Sequence, residues 1–213
     1  MRVLAILASP RRDGNSAALA DAAVRGARDA GHDVETAHLS DYIDGMLGDC
    51  RQCRGADGEC GIADRYGELL LDKVVAADAL VVATPLYWYG MSGRLKTFFD
   101  RLFCYTSNSS PHQDVVSKGI TNKKTALLIS CEESYQGATM GLVTQFQEIT
   151  RYLHQELVGV VVGIGNSRGE VAADPGRPLA AAEDLGCRLS DIRVTDYRID
   201  TVRSNRVWSA DTP

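Results

Sequence analysis

Short apolar runs recur along the chain, and segments with helical spacing separate them. Four of these runs are almost uninterrupted, which is typical of strands buried on both faces of a parallel sheet. A fifth segment alternates weakly between apolar and polar positions and also indicates a strand. In chain order, the predicted strands are residues 3–8, 34–39, 79–84, 125–130 and 158–164.

The intervening segments carry apolar residues three and four positions apart, the spacing that predicts helices with one buried face. The strongest example has Leu95, Phe98, Phe99, Leu102 and Phe103 in register. The predicted helices are residues 16–30, 66–77, 92–103, 142–155 and 178–189. Three further segments are polar or irregular, and we interpret them as two loops and a C-terminal arm or tail: residues 42–64, 106–122 and 190–213.

Strands that alternate with helices predict an α/β fold, in which a parallel sheet has helices on both faces. Five strands in one domain favour a flavodoxin-like, three-layer doubly wound fold with strand order 2-1-3-4-5. We place this domain at residues 1–189 and the arm or tail at 190–213. Such sheets bind ligands beyond the carboxyl ends of their strands, where the strand order reverses. We therefore expect the binding site in the loops after the first, third and fourth strands.

Composition narrows the classes of function. The 213 residues are 45% hydrophobic and 24% charged, with a net charge of −5, which is ordinary for a globular domain. No run of Lys and Arg exceeds two residues, so we expect no nucleic-acid partner. No apolar stretch approaches the ~18 residues of a membrane span, and the apolar N-terminus is too short for a signal peptide. We expect a cytoplasmic protein whose six cysteines are mostly reduced.

The loop after the first predicted strand, SPRRDGNS, has the composition of an anion site. A helix N-terminus presents unpaired N–H groups and positive dipole charge, and Gly14 lets the backbone come close to a ligand. Hydroxyl and amide side chains that can donate hydrogen bonds, and arginines that can balance an anion's charge, surround it: Ser9, Asn15, Ser16, Arg11 and Arg12. A simple helix cap at Asn15 or Ser16 is the alternative. The lysine of a Walker loop is missing.

Three consecutive aromatic residues, Tyr87, Trp88 and Tyr89, follow the third predicted strand between Pro85 and Gly90. A helix or strand would bury only one or two of them. At the edge of a sheet they can line a slot for a flat ring, with backbone N–H groups of the same turn at its polar edge. An aromatic surface or dimer patch is the alternative. The polar loop after the fourth strand, SCEESYQGATMG, is placed to form a third wall.

Together, these segments resemble the NADPH-dependent FMN reductase family, in the branch that includes iron–sulfur flavoproteins. SPRRDGNS is similar to that family's phosphate loop, TPLYWYGMSGRLKTFFDR to its second flavin segment, and GEVAADPGRPLAAAEDLG to its last crossover and helix. The resemblance implies that the FMN phosphate is held by Ser9, Arg11, Asn15 and Ser16. It implies that the isoalloxazine ring is held by Pro85, Leu86, Tyr87, Trp88, Tyr89 and Gly90, with Cys131 and Glu132 as further cofactor-binding candidates.

Three cysteines of the irregular segment, Cys50, Cys53 and Cys60, have a spacing that suggests metal ligands. A cubane cluster or a structural zinc site needs four ligands. The related iron–sulfur proteins carry a fourth cysteine between the last two, where this chain has Ala56. We therefore expect reduced loop cysteines and no metal, with a cluster or zinc as the alternatives.

A second motif, GIGNSRG after the fifth predicted strand, has the glycines of a dinucleotide fingerprint. No further strand follows to carry a ribose-binding acid, and Pro175 and Pro178 interrupt the expected start of a helix. We therefore do not interpret it as a nucleotide site.

The resemblance implies an FMN-dependent NAD(P)H oxidoreductase. Hydride would pass from NADPH or NADH to bound FMN and then to a small acceptor such as a quinone, free flavin or another electrophile. Because the flavin carries the chemistry, no protein side chain is predicted to be catalytic. A flavodoxin-like electron-transfer protein serving a redox partner is the alternative, and a sensor on an emptied fold is a third. We expect a homodimer or homotetramer with the flavin near an interface.

Overall fold

A five-stranded parallel sheet forms the centre of the computed structural model, which describes residues 1–49, 52 and 54–192. The strand order is β2-β1-β3-β4-β5, so the predicted fold class and order are confirmed. Each apolar run became a strand because both of its faces are covered. The strands are β1 Arg2–Leu7, β2 Asp33–His38, β3 Ala79–Pro85, β4 Lys124–Cys131 and β5 Glu156–Ile164.

Helices cover both faces of the sheet, and the alternation of side chains along each strand creates two cores. On β1, Leu4 and Ile6 point into one core, whereas Val3 and Ala5 point into the other. α2, α3 and α5 contribute to the first core, and α1 and α6 to the second. The helices are α1 Asn15–Asp29, α2 Tyr66–Glu68, α3 Gly93–Thr106, α4 Gln113–Gly119, α5 Gly137–Tyr152 and α6 Pro178–Cys187.

Two segments differ from the sequence prediction. Residues 106–122 were predicted as a loop, but they contain α4, seven residues long, in which the buried Val116 and the capping Ile120 form a pattern too short to predict a helix. The helix predicted at 66–77 begins as α2 but continues as a π-helix over Leu69–Val74, where Val75 N–H donates to the Leu70 carbonyl at 2.9 Å. A π-turn is widened by one residue, which apolar spacing does not reveal.

α1 and α6 approach each other closely at Gly26 and Gly186. A Cβ atom on Gly26 would lie 1.9 Å from the Glu183 carbonyl oxygen, and one on Gly186 would lie 2.1 Å from the Ala23 carbonyl oxygen. Only residues without a side chain permit this approach. The contact places the first and last helices side by side, which brings the loops before them together.

A buried ion pair anchors the cysteine-bearing segment, residues 42–64, on α3. Arg101 is fully buried and donates to both carboxylate oxygens of Asp64, at 2.5 and 2.9 Å, and to Cys60 Sγ at 3.8 Å. Three backbone N–H groups donate to the same carboxylate, those of Asp44, Gly45 and Tyr66. Burial alone would raise the pKa of Asp64, but the hydrogen bonds from Arg101 and these N–H groups lower it to about 2.

The described chain ends against β4, where Lys124 Nζ donates to the Ile192 carbonyl at 2.7 Å. Residues 193–213 of the predicted arm lie outside the described residues, as do Cys50 and Cys53. No helix among the described residues is both long and apolar enough to cross a membrane.

Candidate functional site

A cavity of about 590 Å³ opens at the carboxyl ends of four strands, β1, β3, β4 and β5, and the loops that follow these strands line it. Its volume lies in the range of about 300–1,000 Å³ that is typical of ligand sites. Nearly all of the predicted cofactor-binding residues line it: Ser9, Arg11, Asn15, Ser16, Pro85, Leu86, Tyr87, Trp88, Tyr89, Cys131 and Glu132. Gly90 does not line it, but closes the turn that carries the aromatic residues.

The first wall of the cavity is the loop before α1, whose N-terminus opens here. The helix begins at Asn15 after Gly14, which has no side chain with which to cap it, so neither Asn15 nor Ser16 is the cap. The backbone N–H groups of the first turn have no partners within the helix. A Cβ atom on Gly14 would lie 3.3 Å from Arg11 Cβ, so glycine keeps this entrance open. This end of the helix therefore offers N–H donors and positive dipole charge to an anion.

The two arginines of this loop have different partners. The Arg12 guanidinium forms an ion pair with Asp41, after β2. Arg11 lines the cavity and forms no ion pair within the described part of the chain, and its backbone N–H donates to Ser9 Oγ at 3.1 Å. Arg168, also at the cavity, pairs with Asp13 at 3.0 Å. Arg11 is thus the arginine of the motif that can balance the charge of a bound anion.

Asn15 and Ser16 both bond to distant parts of the chain. Asn15 Nδ2 donates to the carbonyl oxygens of Gly165 and Ser167, at 2.9 and 3.0 Å. The Ser16 and Ser130 hydroxyl oxygens lie 2.7 Å apart and share a hydrogen bond. The side chain of Asn15 is therefore engaged with the loop after β5, and the side chain of Ser16 with the end of β4.

The aromatic turn, residues 87–90, forms the second wall. Tyr87 and Gly90 exchange two backbone hydrogen bonds of 3.0 Å, which leaves Trp88 and Tyr89 as the central residues of a tight hairpin. Both have positive φ angles, 49° and 60°, a conformation that is rare and strained for bulky residues. The turn exposes 45% of Tyr87, 97% of Trp88 and 52% of Tyr89. All three aromatic residues are thus accessible at the edge of the sheet.

The aromatic turn is fixed to its neighbours by hydrogen bonds. Leu86 N–H donates to the Ser130 carbonyl at 2.8 Å, which continues the pairing of β3 with β4. Ser92 Oγ donates to the Ala8 carbonyl at 3.0 Å and accepts from Leu95 N–H at 3.4 Å, so it caps α3 and joins it to the end of β1. These bonds hold the strained turn in one place.

The loop after β4 forms the third wall. Cys131 is buried and its thiol donates to the Glu133 carbonyl at 3.4 Å. Burial raises the pKa of the Cys131 thiol, so it keeps its proton at neutral pH. A hydrogen bond between Tyr135 and Tyr89 raises the pKa of Tyr135 and joins this loop to the aromatic turn.

A fourth wall, which sequence reasoning missed, follows β5. Gly165, Asn166 and Arg168 line the cavity. The Glu170 carboxylate accepts from the N–H groups of Ser167 and Asn166, at 2.7 and 2.8 Å, and these bonds lower the pKa of Glu170. The backbone N–H groups of this glycine-rich segment therefore donate to a carboxylate of the same chain. The only sequence signal was its glycine spacing, which resembles a nucleotide fingerprint.

Comparison with known proteins identifies the family. The sequence model of the NADPH-dependent FMN reductases matches residues 1–173. The chain belongs to this family. Among similar proteins, it is 28% identical to an iron–sulfur flavoprotein of Archaeoglobus fulgidus, over 94% of this chain and 84% of that protein. It is 29% identical to YwqN of Bacillus subtilis, assigned as an NAD(P)H-dependent FMN-containing oxidoreductase, over 87% of this chain and 96% of that protein.

Solved structures show the fold of this FMN reductase family member. An NAD(P)H:quinone oxidoreductase from Methanothermobacter marburgensis superposes with a TM-score of 0.64 at 18% identity, covering 91% of this chain and 98% of that one. The Trp repressor binding protein of Bacillus subtilis gives 0.64 at 23% identity, covering 90% and 99%. At these identities, the likeness establishes the shared fold alone.

The metal candidates are only partly described. Cys60 lies in the described part of the chain as a free thiol beside Arg101. Among the described residues, no group of three or more His, Cys, Asp or Glu side chains is arranged to hold a metal ion. Cys50 and Cys53 lie outside those residues.

Proposed function

We propose that this FMN reductase family member is an NAD(P)H oxidoreductase that uses bound FMN to reduce a small acceptor, such as a quinone, free flavin or another electrophile. One observation carries the proposal. A helix N-terminus without a side-chain cap, beside Arg11, which forms no ion pair with the described residues, borders the same cavity as a strained, exposed aromatic turn. An anion site and a flat-ring site side by side match the two ends of FMN.

The residues of the cavity fit each end of that cofactor. For the phosphate, the entrance at Gly14 offers the Ser9 and Ser16 hydroxyls, the Arg11 guanidinium and the main-chain N–H of Asn15. For the ring, the segment from Pro85 to Gly90 offers apolar and aromatic side chains, with Cys131 and Glu132 on the opposite loop. Charge-assisted bonds to phosphate are the strong ones, so Arg11 would contribute most to affinity among these side chains.

When bound, FMN would supply the hydride chemistry, and the protein would bind and orient it. The main-chain N–H groups of Trp88 and Tyr89 donate to no backbone partner within the described residues and lie in the turn at the cavity. They can donate to the polar edge of a ring and so stabilise negative charge there. Trp88 and Tyr89 would border the face on which a nicotinamide stacks. Cys131 Sγ would hold its proton and leave the charge of the site unchanged.

Further proposals concern the assembly. The exposed Trp88 and Tyr89, with Met140 60% exposed at the start of α5, support a homodimer or homotetramer with the cavity near an interface. Residues 190–213 would serve as an arm, and the protein would act in the cytoplasm. A monomer at micromolar concentration in light scattering would contradict the assembly.

The first prediction tests the reaction. Purified protein loaded with FMN is mixed with NADH or with NADPH under anaerobic conditions, and the flavin absorbance is followed. We expect at least one nicotinamide to bleach it, with reoxidation when a quinone is added. If the flavin stays oxidised with both donors but accepts electrons from a reduced protein partner, the alternative, an electron-transfer protein, is correct. The chain is similar to an iron–sulfur flavoprotein, so the experiment must also test electron transfer from a protein partner.

A further inference from the structure

The side chain of Asn15 joins the first loop of the cavity to the last. Its two donated bonds, to the carbonyl oxygens of Gly165 and Ser167, are 2.9 and 3.0 Å long, and its oxygen accepts from Val171 N–H at 3.4 Å. A side-chain amide has two N–H groups and one oxygen. Both N–H groups of Asn15 are therefore used within the protein, although the resemblance assigns this residue to the phosphate.

The two loops approach each other closely at Gly165. A Cβ atom there would lie 2.7 Å from Val171 N and 3.0 Å from Asn15 Nδ2. On its other side, Gly165 N–H donates to the Cys131 carbonyl at 2.8 Å. Asn15 and the end of β4 thus hold Gly165 between them, at the start of the fourth wall.

A second anchor holds the same wall from outside the cavity. The Glu170 carboxylate accepts from the N–H groups of Asn166 and Ser167, as described above. Glu170 is exposed and is not among the cavity-lining residues, whereas Asn166 and Arg168 are. Residues 165–168, here called the β5 wall, are therefore fixed by Asn15 at one side and by Glu170 at the other.

We propose that Asn15 is a positioning residue, whose side chain holds the β5 wall, with Asn166 and Arg168, against the cofactor cavity instead of binding the phosphate. The inference rests on the proposed function, because it takes FMN as the cofactor. It changes the role of one residue of the proposed phosphate loop and adds a wall that the cofactor motifs of the sequence do not include. If Asn15 positions the wall, its loss should also weaken the binding of a flavin without a phosphate. If Asn15 binds the phosphate, its loss should not affect such a flavin.

Asn15→Ala separates these roles when FMN and riboflavin are titrated side by side into deflavinated full-length protein. Riboflavin carries the ring and ribityl chain but no phosphate. As a positioning residue, Asn15 acts on the whole cofactor, so the variant should weaken both flavins by a similar factor, on the order of tenfold for two lost hydrogen bonds. As a phosphate ligand, it would weaken FMN and leave riboflavin unchanged. Arg11→Ala is the control that should weaken FMN selectively.

Glu170→Ala tests the wall without touching the cavity, and its exposed position makes it suitable should Asn15→Ala fail to fold. We expect it also to weaken both flavins. In the double variant, the loss should be smaller than the product of the single losses, because both residues act through one wall. A selective loss of FMN in Asn15→Ala, unchanged flavin binding in Glu170→Ala, or multiplying losses would each overturn the inference. Wild-type protein that binds neither flavin would overturn the proposed function itself.

Discussion

Arg11 and Arg12 are adjacent in the sequence, yet their guanidinium groups have different surroundings. The composition of the loop left open which of them balances a bound anion, whereas the family resemblance assigned Arg11. The choice depends on Asp41, 29 residues beyond Arg12, which engages that arginine after β2. A partner this distant produces no local pattern, so the residues of the loop alone could not separate the two arginines, and only the resemblance did.

These surroundings predict different effects on FMN binding. Arg11→Ala should raise the Kd for FMN by one to two powers of ten, the equivalent of about 1.5–3 kcal/mol for a hydrogen bond to a charged group. Arg12→Ala is the matched control and should leave the Kd nearly unchanged, because its guanidinium is held by Asp41. Titration of each apoprotein with FMN measures both. Equal losses in the two variants would contradict the assignment.

Among the elements, the aromatic turn most clearly combines an unfavourable backbone conformation with a proposed role in binding. Trp88 and Tyr89 both adopt positive φ angles, which glycine adopts without strain. A strained turn of this kind persists only where neighbouring structure determines it, here through Leu86 and Ser92. In this strained conformation, the Trp88 side chain is exposed to solvent at the edge of the cavity.

Trp88→Gly should therefore separate stability from activity. Glycine adopts a positive φ without strain, which should stabilise the folded protein. Its greater freedom in the unfolded chain opposes this gain, so the unfolding free energy should stay unchanged or rise by about 1 kcal/mol. Loss of the ring should raise KM for the nicotinamide. Thermal unfolding and steady-state kinetics measure the two effects. As the control, Tyr152→Ala removes another exposed aromatic residue, outside the cavity lining, and should leave KM unchanged. A normal KM in Trp88→Gly would contradict a role of Trp88 in binding the nicotinamide.

Sequence patterns predicted the elements best where burial is continuous. The strands lie within two residues of the predicted bounds, and their apolar runs are largely buried except in β2, which has only one buried residue. α5 begins at Gly137, five residues before the predicted start at 142, since its first turn carries few apolar residues. The β5 wall was missed for another reason. Its glycine motif resembles a nucleotide fingerprint and was set aside, and its position depends on Asn15 and Glu170, of which Asn15 is distant in sequence.

At the scale of the whole molecule, the buried pair of Arg101 and Asp64 attaches residues 42–64 to the helix that begins at the aromatic turn. Asp64→Asn would leave the guanidinium buried without its counter-charge, at a cost of about 3–5 kcal/mol in unfolding free energy. Glu68→Gln, which breaks the exposed pair with Arg65, is the matched control and should change little. Urea denaturation measures both, and equal effects would show that the buried pair does not anchor the segment.

The same pair predicts a pH dependence. Because the pKa of Asp64 is lowered from 3.8 to about 2, its ionised form contributes stability that is fully present above pH 3.8 and is lost as the pH falls toward 2. Asp64→Asn should lack this acid-dependent loss, whereas the Glu68→Gln control should retain it.

The tether between Asn15 and Gly165 also has a consequence for the order of events during synthesis. The two residues are 150 positions apart, so at about 5–20 residues per second the ribosome makes the second on the order of ten seconds after the first. Until β5 has paired with β4 and α6 has packed against α1, the growing chain has the loop before α1 but one side of its cavity is absent. Binding of the proposed flavin is therefore expected only after the β5 wall has been synthesised, and a chain arrested before residue 165 should emerge without flavin colour.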